Sequence, residues 1–400
     1  MILNPAINKP AAAAGDAVAH VHHFFLPRSE TFIYNIITHM RRFHPVLVSW
    51  KYRNLEHFPL PQADRFSMSV PVGSWRWLRQ GIGRRLLDRE LGAERFLKQR
   101  RAVLLHAHFG RNGIWALRLK RALRLPLVTT FYGHDMSRAT SLASCAEGYP
   151  SLFEEGDLFL VEGPHMKERL AGIGCPTEKI EIQPIAIPLA ALSFRPRRPK
   201  AKGEAVTIIF SGRLIEKKGL LVALAALNAI RSACPFFEFR IIGDGPQRQE
   251  IEDFIQLHAM KSFIRMMGFL DYSAYLEQMA HADLFIHPSM TAADGDSEGG
   301  APTTILEAQA LGLPVLATRH ADIPYVVVPG GSAMLSAEGD IAGLAENTAR
   351  LLKNQESWAA MGIAGRRHME AHHDADREIR RLEGRYAELI ERSNAHSHGR

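Results

Sequence analysis

Short β-branched and aromatic runs alternate with helix-length amphipathic stretches along the whole chain, and this alternation restricts the fold more than any single motif. The candidate strands of the first half are VHHFFL (21–26), VLVSW (46–50), AVLLHAHF (102–109), LVTTFY (127–132), LFLVEG (158–163) and IEIQPIAI (180–187). Those of the second half are VTIIFSG (206–212), FEFRIIG (237–243), FIRMMGF (263–269), LFIHPS (284–289), PVLAT (314–318) and SAMLS (332–336). Each is followed by a turn signal. Strand–helix repetition predicts parallel sheets with helices on both faces, because parallel neighbours need a crossover connection. Two such sets predict an α/β chain of two Rossmann-like, doubly wound domains.

A length of 400 residues also exceeds what one core usually holds. The stretch FRPRRPKAKGEA (194–205) is rich in Pro, Lys and Arg and reads as a linker. The expected domains are therefore 1–195 and 205–375, followed by a charged helix over 376–400 with a frayed end. The longest apolar runs are strand-sized, so no transmembrane helix is expected. The N-terminus lacks a basic region followed by a long apolar stretch, so no signal peptide is expected either. Cys145, Cys175 and Cys234 are odd in number and far apart, which fits a reduced, cytoplasmic protein with no cysteine metal site.

The net charge of +7 is unevenly spread: Arg76 to Arg101 holds nine Arg/Lys against three Asp/Glu, interleaved with Trp75, Trp77, Leu78, Leu86, Leu87 and Phe96. The block reads either as a solvated helical face or as an interfacial segment that touches anionic lipid, a peripheral membrane contact through 75–101. No nucleic-acid-binding pattern accompanies the charge, so nucleic acid is not an expected partner.

In open α/β sheets ligands bind beyond the carboxyl ends of strands, so with two such domains the expected site is the cleft between them. The loop in IIFSGRLIEKKG places Gly212, Arg213 and Lys218 beside helix N-terminal amides, a convergence of positive potential that suits a diphosphate. Solvated loop charges are the alternative. Gly243-Asp244-Gly245-Pro246 is a tight turn whose glycines let a ligand approach the backbone, although βα turns often use Gly and Asp. In EGGAPTTILEA (298–308) a helix starts near Pro302, with the amides of Ala301, Thr303 and Thr304 at its beginning. Glu307 lies a turn further in, placed to accept two hydrogen bonds from a ribose diol, and Glu298 in the loop could hold sugar hydroxyls. Glu307 has apolar neighbours on either side, so its carboxylate needs a partner. Asp294–Asp296 has the spacing of a metal-binding DxD, but no helper ligand accompanies it.

Together GRLIEKKG, GDGP, FIHPS, EGGAPTTILEAQALGLPV and HADIP resemble the retaining GT-B glycosyltransferases called glycosyltransferase family 4. The likeness is greatest to members that build bacterial exopolysaccharides such as colanic acid or amylovoran. In the first half PRSETFI, HAHFG, FYGHDMS and GCPTEKIEIQP carry it more weakly. The resemblance implies that Arg213 and Lys218 bind the donor diphosphate, that Glu307 holds the ribose and that Glu298 contacts the donor sugar. It also implies that Gly243 and Gly245 lie near the nucleotide, with Gly299 and Gly300 on the donor side and Gly268 and Phe269 near the base. Ser29, Glu30 and Thr31 match a loop facing the acceptor, and the last helix is expected to cross back to the first domain. Two departures stand out. Eight residues separate Glu298 from Glu307 where the family usually has seven, and the extra one falls before Pro302. Tyr132 also stands where the family often has a histidine, leaving His134, Asp135 and His108 as candidate catalytic groups alongside Glu298.

The resemblance thus implies metal-independent transfer of a sugar, with retention, from a nucleotide-diphosphate sugar to a hydroxyl of a glycan or polyprenyl-linked oligosaccharide acceptor. No cofactor is implied. The expected place is the cytoplasm, at the inner face of the plasma membrane. Rival readings are a GT-B nucleotide-sugar epimerase or hydrolase, and a non-enzymatic membrane-surface binding protein.

Overall fold

The computed structural model describes residues 15–27, 30–69, 72–75, 78, 81–83, 89–137 and 139–398. The chain divides into two compact units. Among the described residues the first holds those from 15 to 136, 140–186 and the C-terminal segment from 375; the second holds 137, 139 and 187–374.

The first unit is built on seven strands: β1 (Ala17–Phe25), β2 (His44–Tyr52), β3 (Arg65–Ser67), β4 (Ala102–His108), β5 (Leu127–Thr130), β6 (Leu158–Val161) and β7 (Ile180–Ile182). They are all parallel, in the order β3-β2-β1-β4-β5-β6-β7. Every candidate strand of the first half is present. The short edge strand β3 was not expected, because three residues, Arg-Phe-Ser, carry no readable period. Val21, Val48, Leu105, Phe131 and Phe159 lie in one core of this unit. A second core is closed by the C-terminal helix Ala375–His398. Its Ile379, Leu382 and Tyr386 follow helical spacing and pack with Val18, Leu104, Val128 and Leu160. Glu383 Oε1 on this helix accepts the backbone N–H groups of Arg41, Arg42 and Phe43 at 2.9, 2.7 and 3.1 Å.

The second unit holds β8 (Val206–Ser211), β9 (Phe237–Ile242), β10 (Ile264–Gly268), β11 (Leu284–His287), β12 (Val315–Thr318) and β13 (Ala333–Ser336). Their order, β10-β9-β8-β11-β12-β13, is the 3-2-1-4-5-6 arrangement of doubly wound sheets, with its topological switch between β8 and β11. Phe210, Phe239, Ile286, Leu316 and Trp358 belong to its core.

The stretch 194–205 is fastened to the second unit. The Arg197 guanidinium is buried and donates to the carbonyls of Ala282, Arg195 and Met279 at 2.7, 2.7 and 3.2 Å. Two of these are carbonyls at the end of the helix Tyr272–His281, where a cation is favoured. Among the described residues no helix is long and apolar enough to cross a membrane.

Candidate functional site

Arg213 and Lys218 follow β8, and Pro288 and Ser289 follow β11, so both loops lie at the switch of the second sheet. A single 3-10 turn, Glu216–Lys218, ends at Gly219 with φ +66°. A Cβ there would stand 1.9 Å from the Pro288 carbonyl oxygen, so only glycine lets the two loops touch. The turn sends the two lysines apart. Lys217 is buried, its Nζ 3.0 Å from Asp296 Oδ1 and 2.6 Å from the Ser297 carbonyl. Asp296 of the DGD triplet is therefore a lysine's partner. Lys218 Nζ instead reaches both oxygens of Glu298 at 2.9 Å. Ser289 Oγ donates to Glu298 Oε1 at 2.9 Å, and the Glu298 N–H donates to His320 Nε2 at 3.0 Å. His320 must then donate from Nδ1 to Glu338 Oε1, 2.7 Å away. Burial alone would raise the pKa of Glu298, but Lys218, with His287, outweighs it and holds the carboxyl well below the usual range.

Arg213 is exposed on the same loop. The glycines beside it serve the chain itself. Gly243 has φ +135°, its N–H donates to the Gly268 carbonyl at 2.9 Å, and a Cβ would stand 1.8 Å from the Gly212 oxygen. A Cβ on Gly245 would meet the Leu214 oxygen at 2.5 Å. The close approach these residues permit here is between two βα turns, a reason the sequence reading did not contain.

Pro302 precedes the helix Thr303–Ala310, which carries Glu307 inward. The looser turn before it uses Gly299 at φ +75°, and the Gly300 carbonyl accepts the N–H of Asp322 at 3.3 Å. The Thr304 hydroxyl is buried, with no hydrogen-bond partner among the described residues. Glu307 has the partners its surroundings demand: Tyr272 and Tyr275 donate their hydroxyls to Oε1 and Oε2 at 3.0 and 2.6 Å. Burial raises the Glu307 pKa, and the two phenols act against it. Sequence reading missed both tyrosines. The available signal was their spacing of three, one helical turn, directly after Asp271, whose carboxylate caps that helix through the Ala274 N–H at 2.9 Å. Phe269, beside Gly268 at φ +66°, is 61% exposed, unusual for so large an apolar side chain.

In the first unit Ser29 lies outside the described residues, and Thr31 opens the helix Thr31–His39. Glu30 is held from behind: His22 Nε2 is 2.8 Å from Glu30 Oε2, and Asn112 Nδ2 is 2.9 Å from His22 Nδ1. Asn112 can only donate from that nitrogen, so His22 Nδ1 accepts and Nε2–H points at Glu30. His20 and His106 are paired in register on β1 and β4, and alternation along each strand adds His22 and His108. His20, His106 and His108 gather as a metal ion would require, yet each of their ring nitrogens already has a partner. His20 contacts His108 Nε2 at 3.0 Å and Met40 Sδ at 3.2 Å; His106 contacts Thr130 Oγ1 at 2.7 Å and Tyr386 OH at 2.6 Å; His108 Nδ1 is 2.9 Å from Tyr132 OH. Burial holds all three imidazoles low, His20 to about 3.

Of the candidate catalytic groups in the first unit, His108 is thus wholly buried in this network. Asp135 is buried too, accepting the N–H groups of Gly110 and Tyr132, each at 3.1 Å, with its pKa raised by burial to about 7. Only His134 is exposed, with Ser141 Oγ 3.4 Å from Nδ1.

Two parallel doubly wound sheets, one with cations and a carboxylate gathered at its switch point, define a double-Rossmann α/β protein. The chain belongs to the GT-B glycosyltransferases: residues 194–368 match the family Glycosyl transferases group 1 and residues 29–191 match Glycosyltransferase Family 4. It is 32% identical over 293 residues to the amylovoran biosynthesis glycosyltransferase AmsK of Erwinia amylovora, covering 73% of this chain and 70% of that one. WcaL of Escherichia coli (strain K12), named as a colanic acid biosynthesis glycosyltransferase, is 36% identical over 251 residues, or 62% of this chain and 61% of WcaL, so the match spans less than two thirds of that relative's length. In fold the chain is similar to Anabaena Alr3699/HepE in complex with UDP and glucose, with TM-score 0.71 and 14% identity over 93% of this chain and 99% of that one. A glycosyltransferase from Rickettsia africae gives 0.74 at 14% identity, over 94% and 99%.

Proposed function

We propose that this protein is a retaining, metal-independent glycosyltransferase that moves a sugar from a nucleotide-diphosphate sugar to a hydroxyl of a glycan acceptor in exopolysaccharide synthesis. The observation that carries this reading is the Lys218–Glu298 pair at the β8/β11 switch, on the same loop as Arg213. In the reaction the bond from the anomeric carbon to the donor phosphate breaks, its electron pair leaving with the phosphate oxygen. The acceptor oxygen bonds to the same face of that carbon and its proton passes to the departing phosphate. Arg213, Lys218 and helix amides balance the charge, Glu298 holds the donor sugar, and Glu307 holds the ribose. Preplaced donors of this kind are each worth about 3 kcal/mol, roughly 100- to 1000-fold in rate. The family resemblance, the relatives named for colanic acid and amylovoran, and a fold neighbour bound to UDP support the reading.

The acceptor in this reading is a polyprenyl-linked oligosaccharide at the inner membrane face. Support comes from Val72, Trp75, Leu78 and Ile82, all exposed, with Trp75 at 79%, in the stretch that carries the basic block. Arg84 and Arg85 of that block lie outside the described residues. The test is incubation with labelled UDP-, GDP- and ADP-sugars, with and without a lipid-linked acceptor. Acceptor-dependent transfer is expected, and it should fall roughly 100- to 1000-fold in Arg213→Ala. Release or isomerisation of sugar without acceptor would point to an epimerase or hydrolase instead. Full activity on water-soluble acceptors after neutralising Arg84, Arg85 and Arg89 would remove the membrane part.

A further inference from the structure

Beside the Lys218–Glu298 pair stands a histidine that acts on Glu298 without a hydrogen bond to it. His287 is the last residue of β11 and is fully buried. Its ring stacks with Phe210 and Phe285, at centroid distances of 5.1 and 5.9 Å and interplanar angles of 13° and 19°. A Cβ on Gly212 would touch its edge at 3.3 Å. Among the described residues neither ring nitrogen has a hydrogen-bond partner. A buried polar group in that condition is a standing cost to the fold and calls for an explanation. Nε2 lies 3.9 Å from Glu298 Oε1, too far for a hydrogen bond and within about 1 Å of making one. That oxygen is already served by Lys218 and Ser289, both at 2.9 Å.

We propose that His287 is a positioning residue that takes over Glu298 when Lys218 turns to the donor diphosphate, gaining a proton as it does so. The inference rests on the reading of Lys218 as a diphosphate ligand. Lysine carries its charge on a flexible stem, so its ammonium can swing from carboxylate to phosphate. The buried Glu298 carboxylate would then keep one hydroxyl donor, Ser289, and no hydrogen-bonded cation, because the nearby Lys217 ammonium is engaged by Asp296 and the Ser297 carbonyl. His287 is the neighbour within reach. The titratable groups that act on it are Lys218, Glu298 and the neutral His320, with Glu338 bonded to His320 behind. With Lys218 in place, burial holds the imidazole at about 4; Glu298 pulls against it, and the Lys218 ammonium adds a smaller lowering. Removing the ammonium leaves a carboxylate facing an imidazole, the arrangement that favours imidazolium. One ion pair thus replaces another, and Glu298 stays oriented for the donor sugar through the step that withdraws its lysine.

The test is calorimetric titration of UDP, GDP and ADP into the full chain at pH 6.5, in two buffers of different protonation enthalpy. Wild type should take up protons on binding, and its affinity should rise from pH 8 to pH 6 by up to about tenfold per pH unit per proton. His287→Gln keeps a donor that cannot gain a proton. Its affinity should no longer rise from pH 8 to pH 6 beyond what the nucleotide's own phosphate gives, and the uptake should fall by the share that His287 carries. His287→Phe, which preserves the stack, should lose both the uptake and the hold on Glu298. The nucleotide's own phosphate titrates in the same range, so the variants are the reference. Ring 15N shifts in the wild-type protein give a check that needs no variant: His287 should pass from neutral to cationic when nucleotide is added. Equal uptake in all three proteins, or a His287 ring that stays neutral, overturns the hand-over and leaves the diphosphate reading standing. Failure of wild type to bind any of the three nucleotides overturns both.

Discussion

Glu298 and Glu307 are both buried carboxylates on one short segment, and their neighbours treat them in opposite ways. Glu298 is crossed by an ammonium and stays charged far below the ordinary range; Glu307 is met by two neutral phenols and is pushed up by burial. The first stabilises the folded chain above the ordinary glutamate pKa, and that contribution is lost as pH falls through its lowered value. The second loses part of its charge sooner on acidification. In Tyr275→Phe the carboxylate loses its shorter hydrogen bond, so its pKa should rise further. Hydrogen bonds to charged groups are worth about 1.5–3 kcal/mol. Nucleotide affinity, measured by calorimetry, should therefore fall by roughly 10- to 100-fold, and more at pH 6 than at pH 8. An unchanged affinity at both pH values would remove Glu307 from the nucleotide site.

At the scale of elements, the C-terminal helix belongs to the first unit through polar contacts as much as through its apolar stripe. Glu383 supplies one oxygen to three consecutive amides in the segment that leads into β2. These amides follow the end of the helix Thr31–His39, where a chain leaving a helix must find new partners. Glu383→Ala leaves them without that acceptor and should lower stability by about 3 kcal/mol. Glu383→Gln, which retains a carbonyl, should cost less; denaturant midpoints at constant slope distinguish the two. The same logic explains the stretch 194–205. Composition marks it as a linker, but Arg197 reaches carbonyls at a helix end, and such a partner cannot be read from local sequence.

For the whole molecule, the buried histidines of the first unit set the response to acid. His20, His106 and His108 are held neutral by burial, with values far below 6.5, so the unfolded chain binds their protons first. Stability must then fall as pH drops below about 6.5. Asp135, raised to about 7, works the other way, since its proton is kept by the folded state. The three histidines outnumber the one aspartate, and His287 of the second unit, held at about 4, adds to them, so stability falls between pH 6 and 5. Urea titrations across that window check the slope, and His106→Gln should make it shallower by about 1.4 kcal/mol per pH unit. A slope unchanged by that substitution would show that His106 is not held neutral in the folded state.

The fold class was legible because parallel α/β sheets advertise themselves locally: a strand buried on both faces is a continuous apolar run, and the helix after it has its own period. All the candidate strands are present, and only the three-residue β3 escaped. The pairing of Lys218 with Glu298 at the β8/β11 switch joins residues that the sequence placed in loops after strands, and Arg213 shares the first of those loops. What pairs with what was not legible. The split between Lys217 and Lys218, the tyrosines on Glu307, the His22–Asn112 brace behind Glu30 and the silent His287 each join residues distant in sequence. Such contacts depend on strand order and side-chain direction. The amino-acid sequence determined which segments become strands and helices and which loops carry charge. Only the tertiary structure decided which carboxylate meets which cation, because hydrogen bonds and ion pairs act over a few ångströms and local sequence pattern does not specify those distances.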